Sequence, residues 1–396
     1  MKIAFFKVAA LALAVAASAH SRAAETVIKI SKQGAVKDSV AFNLKPGPGV
    51  PAEYVKSLRR NIEISGWFEF SPNGAIKISS EGGRVTASGH GKSVSAPVAP
   101  GDAALARRQA RVFSDSLVKE FAGAKGFADS RIAFVKKIGK DNAELYTCCP
   151  DGYDIVRQTQ DRRAAVGPRW HPNAREIYYT GFISGSPLVY VVDLENAKRR
   201  PLHNFKGFAT GAAVSPDGRQ CALILSFQGN PELYRLDPVS KRLLRMTNTK
   251  DGSEASPCWS PDGSQVAFVS DVTRHPQIYS LPSNANSKTK PKRLTSRGGQ
   301  NVNPDWGPDG RIAYATQRGK HWHIAVMDSS GDASAKLVTD GGAWEHPSWA
   351  PDGRHIVASR DGALWIIDTE GDKPQKIFGN PGEWVSPDWS RNRTAK

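Results

Sequence analysis

Trp259-Ser260-Pro261-Asp262-Gly263 is the stretch that decides this fold, because the chain keeps returning to it. Val214-Ser215-Pro216-Asp217-Gly218, Trp306-Gly307-Pro308-Asp309-Gly310 and Trp349-Ala350-Pro351-Asp352-Gly353 repeat it closely, and Trp170-His171-Pro172-Asn173 and Trp389-Ser390-Arg391-Asn392 are looser copies. Successive first residues lie 44, 45, 47, 43 and 40 positions apart, the period of a propeller blade of four strands. Each copy is a turn, since proline presets φ at about −65° and the glycine accepts positive φ.

The sequence around each turn has one grammar. An approach segment such as Ala255-Ser256-Pro257-Cys258 leads in, and an apolar strand such as Val266-Ala267-Phe268-Val269 leads out. A polar hairpin, a third strand such as Ile278-Tyr279-Ser280-Leu281 and a short edge strand at Arg293-Leu294-Thr295 complete the unit. The Ile132-Ala133-Phe134-Val135 strand has no approach segment before it, whereas Trp384 to Trp389 is an approach segment with no strands after it. One blade is therefore shared between the two ends, which removes the open edges a linear array would expose. The expected fold is α+β: a small N-terminal α/β domain followed by a six-bladed β-propeller.

Met1-Lys2, the apolar run Val8 to Ala17 and the small residues Ala17-Ser18-Ala19 or Ser21-Arg22-Ala23 read as a signal peptide over residues 1–24, too short to span a bilayer. No other apolar run is long enough to span, so the mature chain is expected to be exported without a transmembrane segment. Residues 25–127 lack the repeat and residues 128–396 carry the propeller. In the first of these, Thr26 to Ile30 reads as a strand and Pro51 to Ser65 as a helix with Val55, Leu58 and Ile62 on one face and Gly66 as its stop. Short strands follow at Phe68 to Phe70, Ile76 to Ile78 and Arg84 to Thr86. A second helix begins at the cap Asp102, turns Leu105, Phe113, Leu117 and Phe121 inward, and ends near Gly123.

The formal net charge is +16, large enough to raise the question of nucleic acid. Residues 25–128 hold 15 basic against 9 acidic side chains and residues 129–396 hold 36 against 29, so the excess is dispersed and no nucleic-acid partner is expected. Only Lys288, Lys290, Lys292, Arg293 and Arg297 cluster, in an interstrand loop. The four cysteines permit a disulfide in an exported chain, but adjacent Cys148 and Cys149 cannot both easily reach distant partners, and no C-x-x-C metal spacing occurs.

Several features together carry a family resemblance: Gly66-Trp67-Phe68 after the first helix, Ser114-Asp115-Ser116-Leu117 in the second, Lys125-Gly126-Phe127 before Ser130 to Val135, and the blade turns. They closely resemble TolB, the periplasmic component of the Tol-Pal system, over nearly all the mature chain. The resemblance implies a periplasmic adaptor that binds the peptidoglycan-associated lipoprotein Pal at the propeller mouth and TolA through the N-terminal region, supporting outer-membrane integrity and cell division. A propeller that binds a small molecule or glycan, or the remnant of a hydrolase, is the alternative.

Catalytic chemistry finds no footing in the sequence. No Gly-x-Ser-x-Gly nucleophile elbow occurs. Gly89-His90-Gly91-Lys92-Ser93 lacks the first glycine of a phosphate loop and the helix that must follow. His321 and His323 have no nearby third ligand. We expect no catalytic residue, metal or cofactor. The candidate site is instead the ring of loops leading into the innermost strands, where aromatic and charged residues among polar neighbours have the composition of a protein-binding hot spot. Its expected partner-binding residues are Arg162, Arg163, Phe208, Glu254, Gln300, Asn301, Trp344, Glu345 and Trp384.

Overall fold

The computed structural model describes residues 36–391 apart from 204, 206, 227, 228, 372 and 379–382. The signal-peptide reading and the Thr26 to Ile30 strand lie outside the described residues. Six four-stranded antiparallel sheets make the propeller. Blades 1 to 5 are consecutive, spanning residues 165–201, 208–245, 254–293, 301–337 and 344–376. Blade 6 joins the two ends of the chain as expected: its innermost strand Trp384–Trp389 pairs antiparallel with Ile132–Gly139, in the register Trp389 to Ile132 and Trp384 to Lys136.

The repeated turn has a physical basis beyond proline and glycine. Ser260 Oγ donates to Asp262 Oδ1 at 2.5 Å and accepts the Gln265 N–H at 2.9 Å; Ser215, Asp217 and Gln220 form the same closed loop. Gly263 and Gly218 stand at φ of 71° and 74°, where a Cβ is strained. In blades 3 and 1 the tryptophan ahead of the turn fastens the neighbouring blade: Trp259 Nε1 donates to the Ala213 carbonyl at 2.9 Å, and Trp170 Nε1 to that of Asp388 at 3.0 Å. The second strands between, such as Val266, Ala267 and Phe268, are buried on both faces and form the interblade core.

Helices α1 (Ala52–Ile64) and α2 (Ala103–Leu117) pack against a five-stranded sheet in the N-terminal domain. Leu58 and Ile62 of α1 are fully buried, and Asp102 Oδ1 caps α2 by accepting the Leu105 N–H at 2.8 Å. The Leu105 side chain is 38% exposed rather than inward, because at the first turn of α2 it extends beyond the reach of the sheet. Phe113 and Leu117 carry that face into the core, and a π-helical turn, Val118–Ala122, leads to Gly123 at φ 66°. Two strands went unread in the sequence. Asp38–Phe42 lies inside the sheet, paired parallel to both Phe68–Phe70 and Ile76–Glu81, and Lys92–Pro97 forms an edge. The Gly89 to Ser93 stretch is the hairpin turn between Arg84–Gly89 and Lys92–Pro97, with His90 and Gly91 both at positive φ.

Candidate binding mouth of the propeller

The loops that enter the innermost strands gather at one end of the channel, and buried polar side chains behind them set their shape. Glu144, buried in blade 6, accepts Thr159 Oγ1 at 2.5 Å and the N–H groups of Asp161 and Arg162 at 3.1 and 2.8 Å. Burial opposes its ionisation, but these hydrogen bonds and Arg157 hold its carboxyl below the usual range. Arg162 and Arg163 are thereby presented outward, exposed, on a loop fixed from beneath. Glu232 does the same in blade 2 through Thr247 and Thr249, and Gln277 in blade 3 through Thr295 and Asn301.

The nine expected contact residues divide by the direction in which they point. Arg162 and Arg163 are exposed, and Phe208, Gln300, Glu345 and Trp384 are partly so. Glu254, Asn301 and Trp344 are 2%, 0% and 1% exposed and face between blades instead of presenting an open surface. Each opens an innermost strand and wedges against the preceding blade. Glu254 receives a hydrogen bond from Thr249, Asn301 donates to Gln277 at 2.8 Å, and Trp344 packs with Trp322 and Ile324 of blade 4. Trp384 follows the same rule, packing on Phe378, Phe134 and Tyr146 with Lys136 over its ring. These four support the mouth from below.

A feature the sequence reading missed sits two residues farther along. Gly167, Gly211, Ser256, Asn303, His346 and Ser386, one per innermost strand, all take φ between 49° and 58°, each within a register shift of its strand. A bulge at this position turns the strand into the channel. The available signal was the proline that follows five of the six, since a residue without an N–H interrupts a strand most easily at a bulge. Asn303 Nδ2 lies 3.5 Å from Ser256 Oγ across two blades. Burial, together with Arg169 and Lys137, pushes His346 down to about 4, so its imidazole is neutral. Burial also raises the neighbouring Glu345, against the pull of Lys137.

Deeper in the channel an ionic crosslink spans the ring. Arg169 Nη1 of blade 1 reaches Asp388 of blade 6 at 2.9 Å and Asp305 of blade 4 at 3.3 Å. Asp388 and Asp305 in turn accept the N–H groups of Trp170 and Trp349, both at 2.7 Å. All four cysteines are unpaired and buried. His323 Nδ1 lies 3.2 Å from the Thr339 carbonyl oxygen, and no metal-binding cluster occurs among the described residues. At the junction with the N-terminal domain, Arg60, Asp151, Tyr153, Ile155, Phe378 and Trp384 border a cleft of about 490 Å³.

An N-terminal α/β domain seated on a six-bladed propeller, with a polar mouth built on buried supports, places the chain among the propeller proteins. Comparison with known proteins narrows this. Residues 118–393 match the family model described as the TolB beta propeller domain, and the chain belongs to that family. It is 33% identical over 126 residues to the Tol-Pal system protein TolB of Desulfotalea psychrophila, a match covering 32% of this chain and 28% of that protein. The corresponding protein of Desulfosudis oleivorans is 31% identical over 143 residues, covering 36% and 32%. The matched stretch thus spans about a third or less of these relatives' length. The crystal structure of TolB from Acinetobacter baumannii has the same fold, with a TM-score of 0.76 at 23% identity over 91% of this chain and 98% of that one. No helix among the described residues is long and apolar enough to cross a membrane.

Proposed function

We propose that the chain is a non-catalytic periplasmic adaptor of the Tol-Pal type, exported by its N-terminal signal. In this reading its mouth receives a Pal-like lipoprotein, its N-terminal region engages a TolA-like protein, and the assembly supports outer-membrane integrity and cell division. One observation carries the reading: exposed Arg162 and Arg163 and half-buried Phe208 and Glu345 stand on loops entering the innermost strands, and buried Glu144, Glu232 and Gln277 hold three of those loops, at Arg162, Thr249 and Asn301. Rigid presentation of arginine and aromatic groups lowers the ordering cost of binding, which suits a protein partner. The family membership of the propeller and the Tol-Pal names of its relatives support the choice of partner.

The test is retention of a Pal-like lipoprotein from solubilised envelopes of the source cell, quantified with purified components. Arg162→Ala combined with Arg163→Ala, or Phe208→Ala, weakens binding by about 2 kcal/mol if these are hot spots. Lys288→Ala with Lys290→Ala, on the far side of the ring, leaves it unchanged. Loss from the lysine pair, with none from the mouth variants, places the lipoprotein elsewhere and ends this reading.

A further inference from the structure

The face of the ring opposite the mouth has a charge division. Each blade's first turn and its third-to-fourth hairpin lie there, since every innermost strand starts at the mouth and its neighbours alternate in direction. Over blade 6 the hairpin carries Asp151 and Asp154, and the N-terminal domain covers them with arginines. Arg111 reaches Asp151 at 3.2 Å and Asp154 at 2.8 Å, and Arg107 reaches Asp154 at 2.5 Å. Over blades 2 and 3 the hairpins carry exposed Lys241, Arg242, Lys288, Lys290 and Lys292, and nothing among the described residues covers them.

These five cations make no ion pair among the described residues. Between Asp271 and Asp305 the chain holds no acidic residue, and the exposed Asp217 and Asp262 in the first turns of blades 2 and 3 each accept their own turn's serine hydroxyl and a backbone N–H. The two hairpins are tied into one surface by Arg235, whose guanidinium donates to the Ser283 carbonyl. At the tip of the blade 2 hairpin, Val239 is 89% exposed between Asp237 and Lys241, and Asp237 is occupied in accepting the Val239 and Ser240 N–H groups.

We propose that this face of blades 2 and 3 docks on an anionic phospholipid headgroup layer. Lysine ammonium groups are hydrated point charges without the fork that reads a particular carboxylate, and four of the five cations are lysines. Among the described residues the surface has no exposed aromatic anchor of the kind that gives a protein partner its affinity. Dispersed positive charge with one apolar tip is what a layer of phosphates above acyl chains accepts. The site is separate from the mouth, so one protein can hold a lipoprotein and a membrane surface at once.

The experiment is co-sedimentation of the full mature chain with vesicles of phosphatidylcholine mixed with phosphatidylglycerol, and with phosphatidylcholine alone. The parent binds the mixed vesicles and not the neutral ones, and added salt releases it. Lys288→Ala, Lys290→Ala and Lys292→Ala together lower partitioning on the order of a hundredfold at low salt. Lys45→Ala, Lys77→Ala and Lys320→Ala together, which remove equal charge from exposed positions elsewhere, lower it less than threefold or so. An equal loss from both triple variants reduces the effect to net charge and overturns the proposal, as does failure of the parent to bind, or binding to polyglutamate but not to vesicles. Lipoprotein retention by the Lys288 triple variant stays at the parent level, which separates this proposal from the mouth reading.

Discussion

At the scale of single residues, Glu254 shows how burial converts an expected contact into a support. Its carboxyl receives Ser270 Oγ at 3.1 Å, and Thr249 Oγ1 lies between it and Glu232 at 3.3 and 3.4 Å. Burial first, and the Glu232 charge second, push Glu254 up to about 8. Its unfolded value is about 4.3, so the folded state keeps a proton that the unfolded state releases. Stability from this group is therefore complete below about pH 4.3 and declines as pH rises from there through the folded value. Glu254→Gln keeps the hydrogen bonds and removes the titration. It is expected to raise stability by an amount on the order of 2 kcal/mol at pH 8 and by little at pH 4.5, read as melting temperatures of both proteins across that range. A variant no more stable than the parent at pH 8 would show that this carboxyl is not held protonated. The sequence placed Glu254 in a loop leading into an innermost strand, and the structure makes it that strand's first residue. The sequence could not assign the direction of the side chain, because the left-handed residue at Ser256 shifts the register of the strand.

Elements were most legible where they repeat. Six related turns fixed the number of blades, and an approach segment orphaned at Trp384 to Trp389 fixed how the ring closes. The strand Asp38–Phe42 was illegible for the opposite reason: it occurs once, is short, and begins with the polar pair Asp38-Ser39. Parallel pairing on both sides, not its own propensity, makes it a strand. The closing strand also yields an energetic expectation. Asp388 accepts the Trp170 N–H and faces Arg169, so Asp388→Ala leaves a buried N–H without its acceptor and Arg169 with Asp305 as its remaining carboxylate. Removing one partner of a buried pair costs about 3 kcal/mol or more, which should appear as a lower urea midpoint for the whole propeller. Truncation after residue 380 removes all of Trp384–Trp389 and should be more damaging still. A truncated ring melting with the parent would refute closure by the C-terminal strand.

At the scale of the whole molecule, the two domains are joined by opposite charges in a protected place. Asp151, at the end of blade 6, accepts Ser57 Oγ at 2.7 Å and Asn61 Nδ2 at 3.2 Å from α1, and pairs with Arg111 of α2. Arg354 of blade 5 donates to the Gly66 carbonyl at 3.0 Å while its guanidinium lies over Trp67, 4.2 Å from the ring centroid. None of this was visible in the sequence, since the pairing depends on how the two domains meet. Arg111→Ala removes the cation that neutralises Asp151 and helps hold Asp154, leaving a buried carboxylate with three neutral donors, Ser57, Asn61 and the Tyr153 N–H. Breaking a buried pair on one side is worth about 3 to 5 kcal/mol, more than the neutral donors return, so the junction should open before either core melts. Calorimetry is then expected to resolve two transitions where the parent shows one, with the propeller transition unmoved and new proteolytic cutting between Gly123 and Ser130. Arg107→Ala, which removes a more accessible cation, should loosen the junction less. If Arg111→Ala melted as one unit at the parent temperature, the arginine clasp would not be what seats the N-terminal domain. The docking would then rest on the apolar contacts of Ile64 and Phe127 with the blade 5 and 6 core.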